Sequence, residues 1–229
     1  MSENESVPTL VLKSQKDRRL KAGHLWIYSN EVDTERSPLK QFSPGQQVLV
    51  QASKGKALGI ATMSPNGLIC ARLVNRDIAH PLDKSLLVHR IKQALSLRER
   101  CFTEPYYRLV YGESDLLPGL VVDRFGDYLV VQTATAGMEA VRDEIVEALN
   151  QVLSPSGILL RNDSGAREME GLPAYVEVAS GEVPEEVELI ENGTRFLAPL
   201  TAGQKTGWFY DHRMNRAQLQ QYVGGKRVL

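Results

Sequence analysis

The sequence has few cysteines, and this shortage limits its chemistry. Only Cys70 and Cys101 occur among the 229 residues, and neither has a Cys or His partner at the spacing of metal ligands. A metal site is therefore not expected. Free cysteines are among the most often buried residues, and we expect both to be small core residues.

Long apolar runs are also missing. The longest, around Leu116 to Val122, is far shorter than the roughly 20 residues that a membrane-spanning helix needs. The first residues, MSENESVP, are acidic and polar, without the basic and apolar regions of a signal peptide. The expected location is therefore cytoplasmic, with no membrane partner.

Net charge is nearly absent, at −1, but the charges are unevenly divided. Residues 10–76 carry 11 basic and 4 acidic side chains, residues 77–192 carry 10 and 21, and residues 193–229 carry 6 and 1. Two basic segments around an acidic one are expected when the outer segments meet a polyanion. Small domains also scatter charge without function, so charge alone leaves both explanations open.

Residues 1–76 have the pattern of a small β-barrel or sandwich. The apolar runs QQVLVQA, ALGIATM and LICARLV are separated by Lys54-Gly55-Lys56 and Pro65-Asn66-Gly67, which are turn signals. An earlier strand is expected at TLVLKS. Strands this short and closely spaced suit a compact all-β module.

Residues 77–192 predict an α+β unit. Apolar spacing indicates helices at Leu82–Cys101, behind Pro81, and at Met138–Leu153. The polar, glycine-containing segment 163–173 favours a loop, and a tight hairpin is expected at Gly126-Asp127. Strands are expected at YYRLVYG, GLVVDRF, DYLVVQT, GILLR, AYVEVA, VELIENG and, just past residue 192, TRFLAPL.

Residues 193–229 predict a hairpin followed by a helix. The helix is expected from about Asp211, which would cap it, to Tyr222, before two glycines. The final KRVL would open another strand. The stretch GQKTG is not a phosphate-binding loop, because Gln204 separates Gly203 from Lys205 and that loop needs Gly-Lys-Ser/Thr contiguous.

Three motifs in order carry a family resemblance: LKSQKDRRLKAGHLWIYSNEV, GESDLLPGLVVDRFGDYLVVQ and LTAGQKTGWFYDHRMNR. Together they resemble the SAM-dependent ribosomal RNA cytosine-C5 methyltransferases. The resemblance implies an N-terminal PUA-like β-barrel, a central α+β domain, and a hairpin and helix that lead into a Rossmann-like methyltransferase domain. The expected fold class is accordingly α+β, and KRVL resembles the first strand of that last domain.

The resemblance also implies where the chemistry lies. The family's nucleophilic cysteine and its SAM-binding loop would follow residue 229, and neither Cys70 nor Cys101 matches the catalytic position. The catalytic residues are therefore unknown, and we expect this chain to be an inactive recognition part that binds no SAM, although the whole protein uses SAM. The expected partner is ribosomal RNA. A free-standing RNA-binding adaptor is the alternative function. A homodimer is left open as a possible oligomeric state.

Two groups of residues are candidates for the site. Cationic groups for phosphate and rings for stacking on unpaired bases lie close together in the first segment: Arg18, Arg19, Lys21, His24, Trp26 and Tyr28. Against this, Trp26 or Tyr28 is expected to be core, and the arginines can be merely solvated.

The second group matches the family's active-site border and comprises Gln204, Lys205, Thr206, Tyr210, Asp211 and Arg213. Lys205 and Arg213 suit an RNA phosphate or the SAM carboxylate, whereas a purely structural role in joining domains is the alternative. A further polar group is expected only to shape turns: Glu113, Ser114, Asp115 and Asp123.

Overall fold

Five short strands in the first third of the chain form one curled sheet. The computed structural model of the protein describes residues 7–203 and 205–227. The strands follow the order β1-β3-β4-β5-β2, with β1 parallel to β3 and the other neighbours antiparallel. Their bounds are β1 (Thr9–Val11), β2 (Trp26–Tyr28), β3 (Gln47–Gln51), β4 (Ala57–Met63) and β5 (Ile69–Asn75).

The two edges of this sheet approach each other. Leu12, just after β1, forms an isolated antiparallel bridge with Val32, and the amide of Lys13 donates to the carbonyl of Glu31 at 2.9 Å. Alternating apolar residues such as Val48 and Val50 fill the enclosed core, as a period of two requires. The all-β module expected for the first segment is therefore present.

The second sheet is mixed and has the order β10-β9-β8-β7-β6, with β8 parallel to β9 and the other pairs antiparallel. The expected hairpin at Gly126-Asp127 joins β7 to β8. With its helices, this sheet confirms the expected α+β class. The elements are α2 (Lys84–Cys101), β6 (Tyr106–Tyr111), β7 (Leu120–Phe125), β8 (Tyr128–Thr133), α3 (Ala136–Ala140), α4 (Arg142–Leu153), β9 (Gly157–Asn162), α5 (Gly165–Met169) and β10 (Tyr175–Gly181). The short helix α1 (Arg18–Lys21) lies earlier in the chain, between β1 and β2.

Both faces of the second sheet are covered. Helices α2 and α4 pack together over one face, where Val131 and Ile145 are fully buried. The hairpin of β11 (Glu186–Glu191) and β12 (Thr194–Pro199) covers the other face, and α6 (Arg213–Val223) follows it. The expected division at 192/193 falls in the turn of this hairpin.

The two sheets meet through close backbone contacts. A Cβ on Gly137 of α3 would lie 2.2 Å from the hydroxyl of Thr62 on β4. A Cβ on Gly45, whose φ is +80°, would lie 2.7 Å from the carbonyl oxygen of Ala136. An ion pair of 2.9 Å between Arg72 and Glu170 crosses the same junction. This packing brings the two sheets together without room for side chains at either glycine.

The prediction of one helix over Met138–Leu153 is wrong in two respects. It begins earlier, because the Thr135 hydroxyl caps α3 by accepting from the amide of Met138 at 3.4 Å. It is also broken at Val141, which has φ −113° and ψ 27°. The two pieces pack on different surfaces, since α3 lies on β4 and α4 lies on α2.

Two smaller expectations at helix boundaries are also corrected. Helix α2 begins at Lys84 because the Asp83 carboxylate accepts from the amide of Leu86 at 2.8 Å. Asp211 does not cap α6, whose cap position is His212. The KRVL strand falls partly outside the described residues, and Lys226 and Arg227 lie in no strand.

Two other expectations, for the segment 163–173 and for Cys101, are wrong. The segment 163–173 contains α5, since buried Arg167 donates to the carbonyl of Pro173 at 3.0 Å and to Glu139 at 2.8 Å. Cys70 is buried as expected, but Cys101 is exposed at the last residue of α2.

Among the helices of residues 7–203 and 205–227, none is long and apolar enough to cross a membrane.

Candidate functional site

The first group of predicted residues forms one face on α1 and β2, which we call the α1–β2 face (residues 18–28). Arg18, Lys21 and His24 are exposed. The Arg19 guanidinium lies 4.7 Å from the ring centre of Tyr28 and 3.3 Å from the Glu31 carboxylate. The structure therefore brings cations and rings together on one surface.

The two aromatic rings of this face are not core residues. Ile27 between them is fully buried, whereas Trp26 is 38% exposed and Tyr28 is partly exposed. The expectation that one of the two rings is buried in the core is therefore wrong. Alternation in β2 points Ile27 inward and leaves its neighbours on the surface.

Trp26 connects the α1–β2 face to the second sheet. Its indole N–H donates to Glu113 Oε1 at 2.6 Å. Glu113 lies in a 3₁₀ turn, Gly112–Asp115, directly after β6. A groove of about 300 Å³ between the sheets is lined by Arg19, His24, Trp26, Glu113 and others. The face thus lies at the junction of the two sheets.

Two other carboxylates of the same motif make structural contacts. Asp115 accepts two bonds from Arg98, at 2.6 and 2.7 Å, and one from the amide of Tyr111 at 2.6 Å. Asp123 is fully buried and accepts two bonds from Arg108, at 2.9 and 3.0 Å. These charge-assisted pairs fix the turn and the hairpin, which is the role the sequence indicates.

The second predicted group is split between anchors and exposed groups. Buried Thr206 donates its hydroxyl to Asp123 at 2.5 Å, and Tyr210 donates to the carbonyl of Arg124 at 2.7 Å. Lys205 and Asp211 are exposed, and Gln204 lies outside the described residues. The segment is therefore tied to the sheet by Thr206 and Tyr210.

Arg161 of β9 strengthens this attachment and was not singled out by the sequence. It is 4% exposed and donates to the carbonyls of Leu200 and Gly203, both at 2.7 Å. Its carboxylate partner is Asp163 at 3.1 Å. The arginine therefore fixes the backbone of residues 200–203 against β9.

Glu191 is the main residue that the sequence reasoning missed. Its side chain is fully buried and accepts from Trp208 at 3.1 Å, from Arg213 at 3.3 Å and from Arg216 at 2.5 Å. Burial acts to raise the pKa of this carboxyl, but the bonds from Arg216, Trp208 and Arg213 outweigh it and the pKa is lowered. Period-two alternation with Val187 and Leu189 is the signal that places Glu191 on the buried face of β11.

A cavity of about 320 Å³ lies beside β6, where the 210–213 segment meets the end of α2. The Arg213 guanidinium is 4.5 Å from the ring centre of Phe102, and that of Arg108 is 5.4 Å from the ring centre of Tyr111. We call it the β6 cavity. Its lining residues are Arg98, Phe102, Tyr107, Arg108, Tyr111, Tyr210, Asp211 and Arg213.

Comparison with known proteins defines first a class and then a set of relatives. Residues 10–76 match the family described as PUA-like domain, so the curled sheet is a PUA-like domain joined to an α+β domain. Two solved structures share this fold, each with a TM-score of 0.76 at 22% identity and 93% of this chain covered. One is a Streptococcus mutans protein assigned as a SAM-dependent methyltransferase, of which 54% is covered; the other is a protein assigned as a methyltransferase and complexed with SAH, of which 53% is covered.

The sequence relatives are more specific. The chain is 35% identical to proteins named ribosomal RNA large subunit methyltransferase I from Aliivibrio fischeri, over 96% of this chain, and from Vibrio cholerae, over 97%. It spans 56% of the length of each. The chain is thus a relative of these methyltransferases, which confirms the predicted resemblance to ribosomal RNA methyltransferases.

Proposed function

We propose that this chain recognises RNA for a SAM-dependent ribosomal RNA methyltransferase that modifies C5 of a cytosine in large-subunit RNA. The relatives' names support the reaction class. The cytosine and its C5 position rest on the motif resemblance alone. The observation that carries the recognition role is the α1–β2 face, where cations and partly exposed rings lie together on a PUA-like domain. Three further points remain predictions: a domain boundary after residue 76, a cytoplasmic location, and the formation of a homodimer.

The roles on this face follow from charge and shape. Arg18 and Lys21 supply positive charge for phosphates, which gives affinity without sequence preference. Trp26, Tyr28 and His24 supply planes on which unpaired bases stack. Arg19, already stacked on Tyr28, can extend this platform.

We do not assign the nucleophile of the reaction to these residues. Cytosine C5 methylation needs a thiolate, and thiolates form where the pKa is lowered. Burial raises the pKa of Cys70 to about 12, and Cys101 is at the exposed end of α2. Cys70 is therefore unsuited to the attack, and Cys101 does not match the catalytic position that the family resemblance implies.

The SAM site is likewise not assigned to the described residues. SAM, when bound, supplies the methyl group. Nucleotide-type cofactors in open α/β sheets bind at a glycine-rich turn between a parallel strand and a helix. The turn after β8 leads into α3, but its Gly137 packs directly against Thr62. The described residues therefore do not fit the cofactor at that turn.

A salt-dependent titration tests the recognition role. The 229-residue chain is titrated with a large-subunit ribosomal RNA fragment at several salt concentrations, beside the triple variant Arg18→Ala/Arg19→Ala/Lys21→Ala. Each lost phosphate contact lowers the slope of log affinity against log salt by about 1, so we expect a decrease of about 2 to 3.

The matched control removes the same number of exposed positive charges from the same domain, as Lys40→Ala/Lys54→Ala/Lys56→Ala. We expect a smaller change in its slope. Equal losses in the two triple variants would mean that net charge, rather than the α1–β2 face, determines binding. RNA affinity of the unaltered chain that does not respond to salt would contradict the proposal.

A further inference from the structure

We propose that the β6 cavity binds one unpaired RNA base that carries an exocyclic amino group, stacked on Tyr111 and recognised by Asp211. This inference rests on the proposed RNA recognition and adds a second contact beyond the α1–β2 face. Three observations support it: the chemistry of the lining, the charge balance of the cavity, and the proximity of Tyr111 to the residue that binds Trp26.

The lining suits a flat aromatic ligand. Tyr111 is 57% exposed beside the Arg108 guanidinium, and unpaired bases stack on both kinds of plane. Phe102 and Tyr107 stack at 5.4 Å between ring centres behind them. At about 320 Å³, the cavity is at the lower end of the usual range for small-molecule sites, which begins at roughly 300 Å³.

The walls of the cavity are already fixed by other contacts. Arg98 and Arg108 each hold a carboxylate through two hydrogen bonds, and the hydroxyl of Tyr210 is bound to the carbonyl of Arg124. A ligand would therefore enter a preorganised site, which reduces the entropy lost on binding.

The charges favour a base over a phosphate. The three arginines of the lining are each paired with a carboxylate: Arg98 with Asp115, Arg108 with Asp123, and Arg213 with Glu191, which Arg216 also binds. The remaining charged group of the lining, Asp211, is negative, and its side chain is 66% exposed. The negative charge of Asp211 balances the second arginine on Glu191, so the cavity offers a phosphate no surplus positive charge. A carboxylate, by contrast, accepts well from a base amino group.

The position relates the cavity to the RNA face. Tyr111 is two residues before Glu113, which accepts the bond from Trp26. The Cα atoms of Tyr111 and Glu113 are at most about 7 Å apart, so Tyr111 is within reach of an RNA strand that stacks on Trp26. Because the two surfaces are this close, we infer that the base in the cavity belongs to the same RNA.

The test measures fluorescence anisotropy of labelled single-stranded RNA of about 12 nucleotides, within the site sizes known for such binding, using oligo(rC) and oligo(rU). Tyr111→Ala should weaken oligo(rC) binding about 5- to 150-fold, the effect of one lost base stack. Because no charge is removed, its salt slope should stay unchanged. Tyr111→Phe should retain the affinity, and Tyr222→Ala, which alters a 75% exposed tyrosine outside the cavity, should have no effect.

Asp211→Ala tests the amino group, because it removes both carboxylate oxygens, whereas asparagine would keep an acceptor. The unaltered chain should prefer oligo(rC) to oligo(rU), and the variant should lose most of that preference. The ratio of affinities is the readout, since removing a negative charge strengthens binding to both oligonucleotides alike. An unchanged ratio would overturn the role of Asp211.

The outcomes separate this inference from the proposed function. Salt-dependent RNA binding that Tyr111→Ala leaves intact would overturn the cavity proposal while leaving the α1–β2 face in place. Binding that depends on Tyr111 but whose salt slope is unaffected by the Arg18/Arg19/Lys21 variant would overturn the face. Absence of RNA binding by the unaltered chain would overturn both.

Discussion

The indole nitrogen of Trp26 donates a hydrogen bond to Glu113 across 2.6 Å, and so connects β2 of the PUA-like sheet to the turn after β6. This contact orients an aromatic ring that is still 38% exposed. The ring is therefore positioned by the second sheet and available to a ligand at the same time. The proposed RNA surface thus depends on both sheets.

Trp26 should contribute directly to RNA affinity. We expect Trp26→Ala to cost about 1–3 kcal/mol of binding free energy, as for loss of one stacked base. The free energy of unfolding should fall by only about 1–2 kcal/mol, because one hydrogen bond and part of the buried ring surface are lost. Titration with the ribosomal RNA fragment and urea unfolding measure the two quantities. Glu113→Gln keeps an acceptor for the indole and is the matched control; unchanged affinity of Trp26→Ala would refute the stacking role.

Glu191 should be essential for the packing of the β11–β12 hairpin against α6. Glu191→Ala leaves Arg213 and Arg216 without their buried partner, and breaking a buried pair costs about 3–5 kcal/mol. Urea unfolding measures this loss. The control is Glu188→Ala on the same strand, whose exposed pair with Arg195 spans 3.5 Å and should contribute less than about 1 kcal/mol. Similar losses in the two variants would contradict the assigned role.

Stability should fall in acid, partly through Glu191 and Glu139. For Glu139, burial acts to raise the pKa, but bonds from Arg167, Thr133 and Tyr175 outweigh it and the pKa is lowered. A carboxyl whose pKa is lower in the folded state stabilises fully above its unfolded pKa, about 4.3, and this stabilisation is lost as the pH falls through the folded pKa. Urea midpoints from about pH 6 downwards should decline less for Glu191→Gln than for the unaltered chain. Parallel declines would show that Glu191 is not a source of the pH dependence.

The junction of the two sheets should not tolerate a methyl group at residue 137. A Cβ there would lie 2.2 Å from the Thr62 hydroxyl, and overpacking of this kind costs about 1–3 kcal/mol. Thermal unfolding should show a lower Tm for Gly137→Ala. Gly165→Ala is the control, because a Cβ at that position meets no atom within 4 Å. A Tm equal to that of the unaltered chain would mean that the sheets are not closely packed here.

The two cysteines should differ in reactivity. Cys70 is buried, with its pKa raised to about 12 by desolvation, whereas Cys101 is exposed. A thiol reagent at about pH 8 should therefore modify one thiol per native chain and two after unfolding. Cys101→Ser should abolish the native reaction. Rapid modification of two thiols in the native chain would contradict the burial of Cys70.

Local patterns predicted much of the fold because they report on local contacts. Alternation and turn residues located strands such as β4 and β7, since each strand shows its two faces in its own sequence. The break at Val141 was not predictable in this way. It reflects the packing of α3 on β4, which lies in another sheet and far away in the sequence. The helix α5 likewise depends on the burial of Arg167 against distant Thr133 and Glu139.

The candidate site shows the same limit. The sequence pointed to Arg18 and Trp26 by residue type and to Lys205 through the family resemblance, and the 18–28 stretch does form one face. It did not reveal the β6 cavity, because Arg98, Tyr111 and Arg213 come together only through the tertiary fold. Nor did it distinguish anchors such as Thr206 from exposed groups, which depends on the buried partner Asp123.

The most direct test of the central claim is to map the RNA contacts by ultraviolet crosslinking of the chain to a large-subunit ribosomal RNA fragment, followed by mass spectrometry. We expect crosslinked peptides that contain residues 18–28, with a loss of crosslinking in Trp26→Ala. Crosslinks confined to the acidic part of the chain, such as residues 142–188, would contradict RNA recognition by the α1–β2 face.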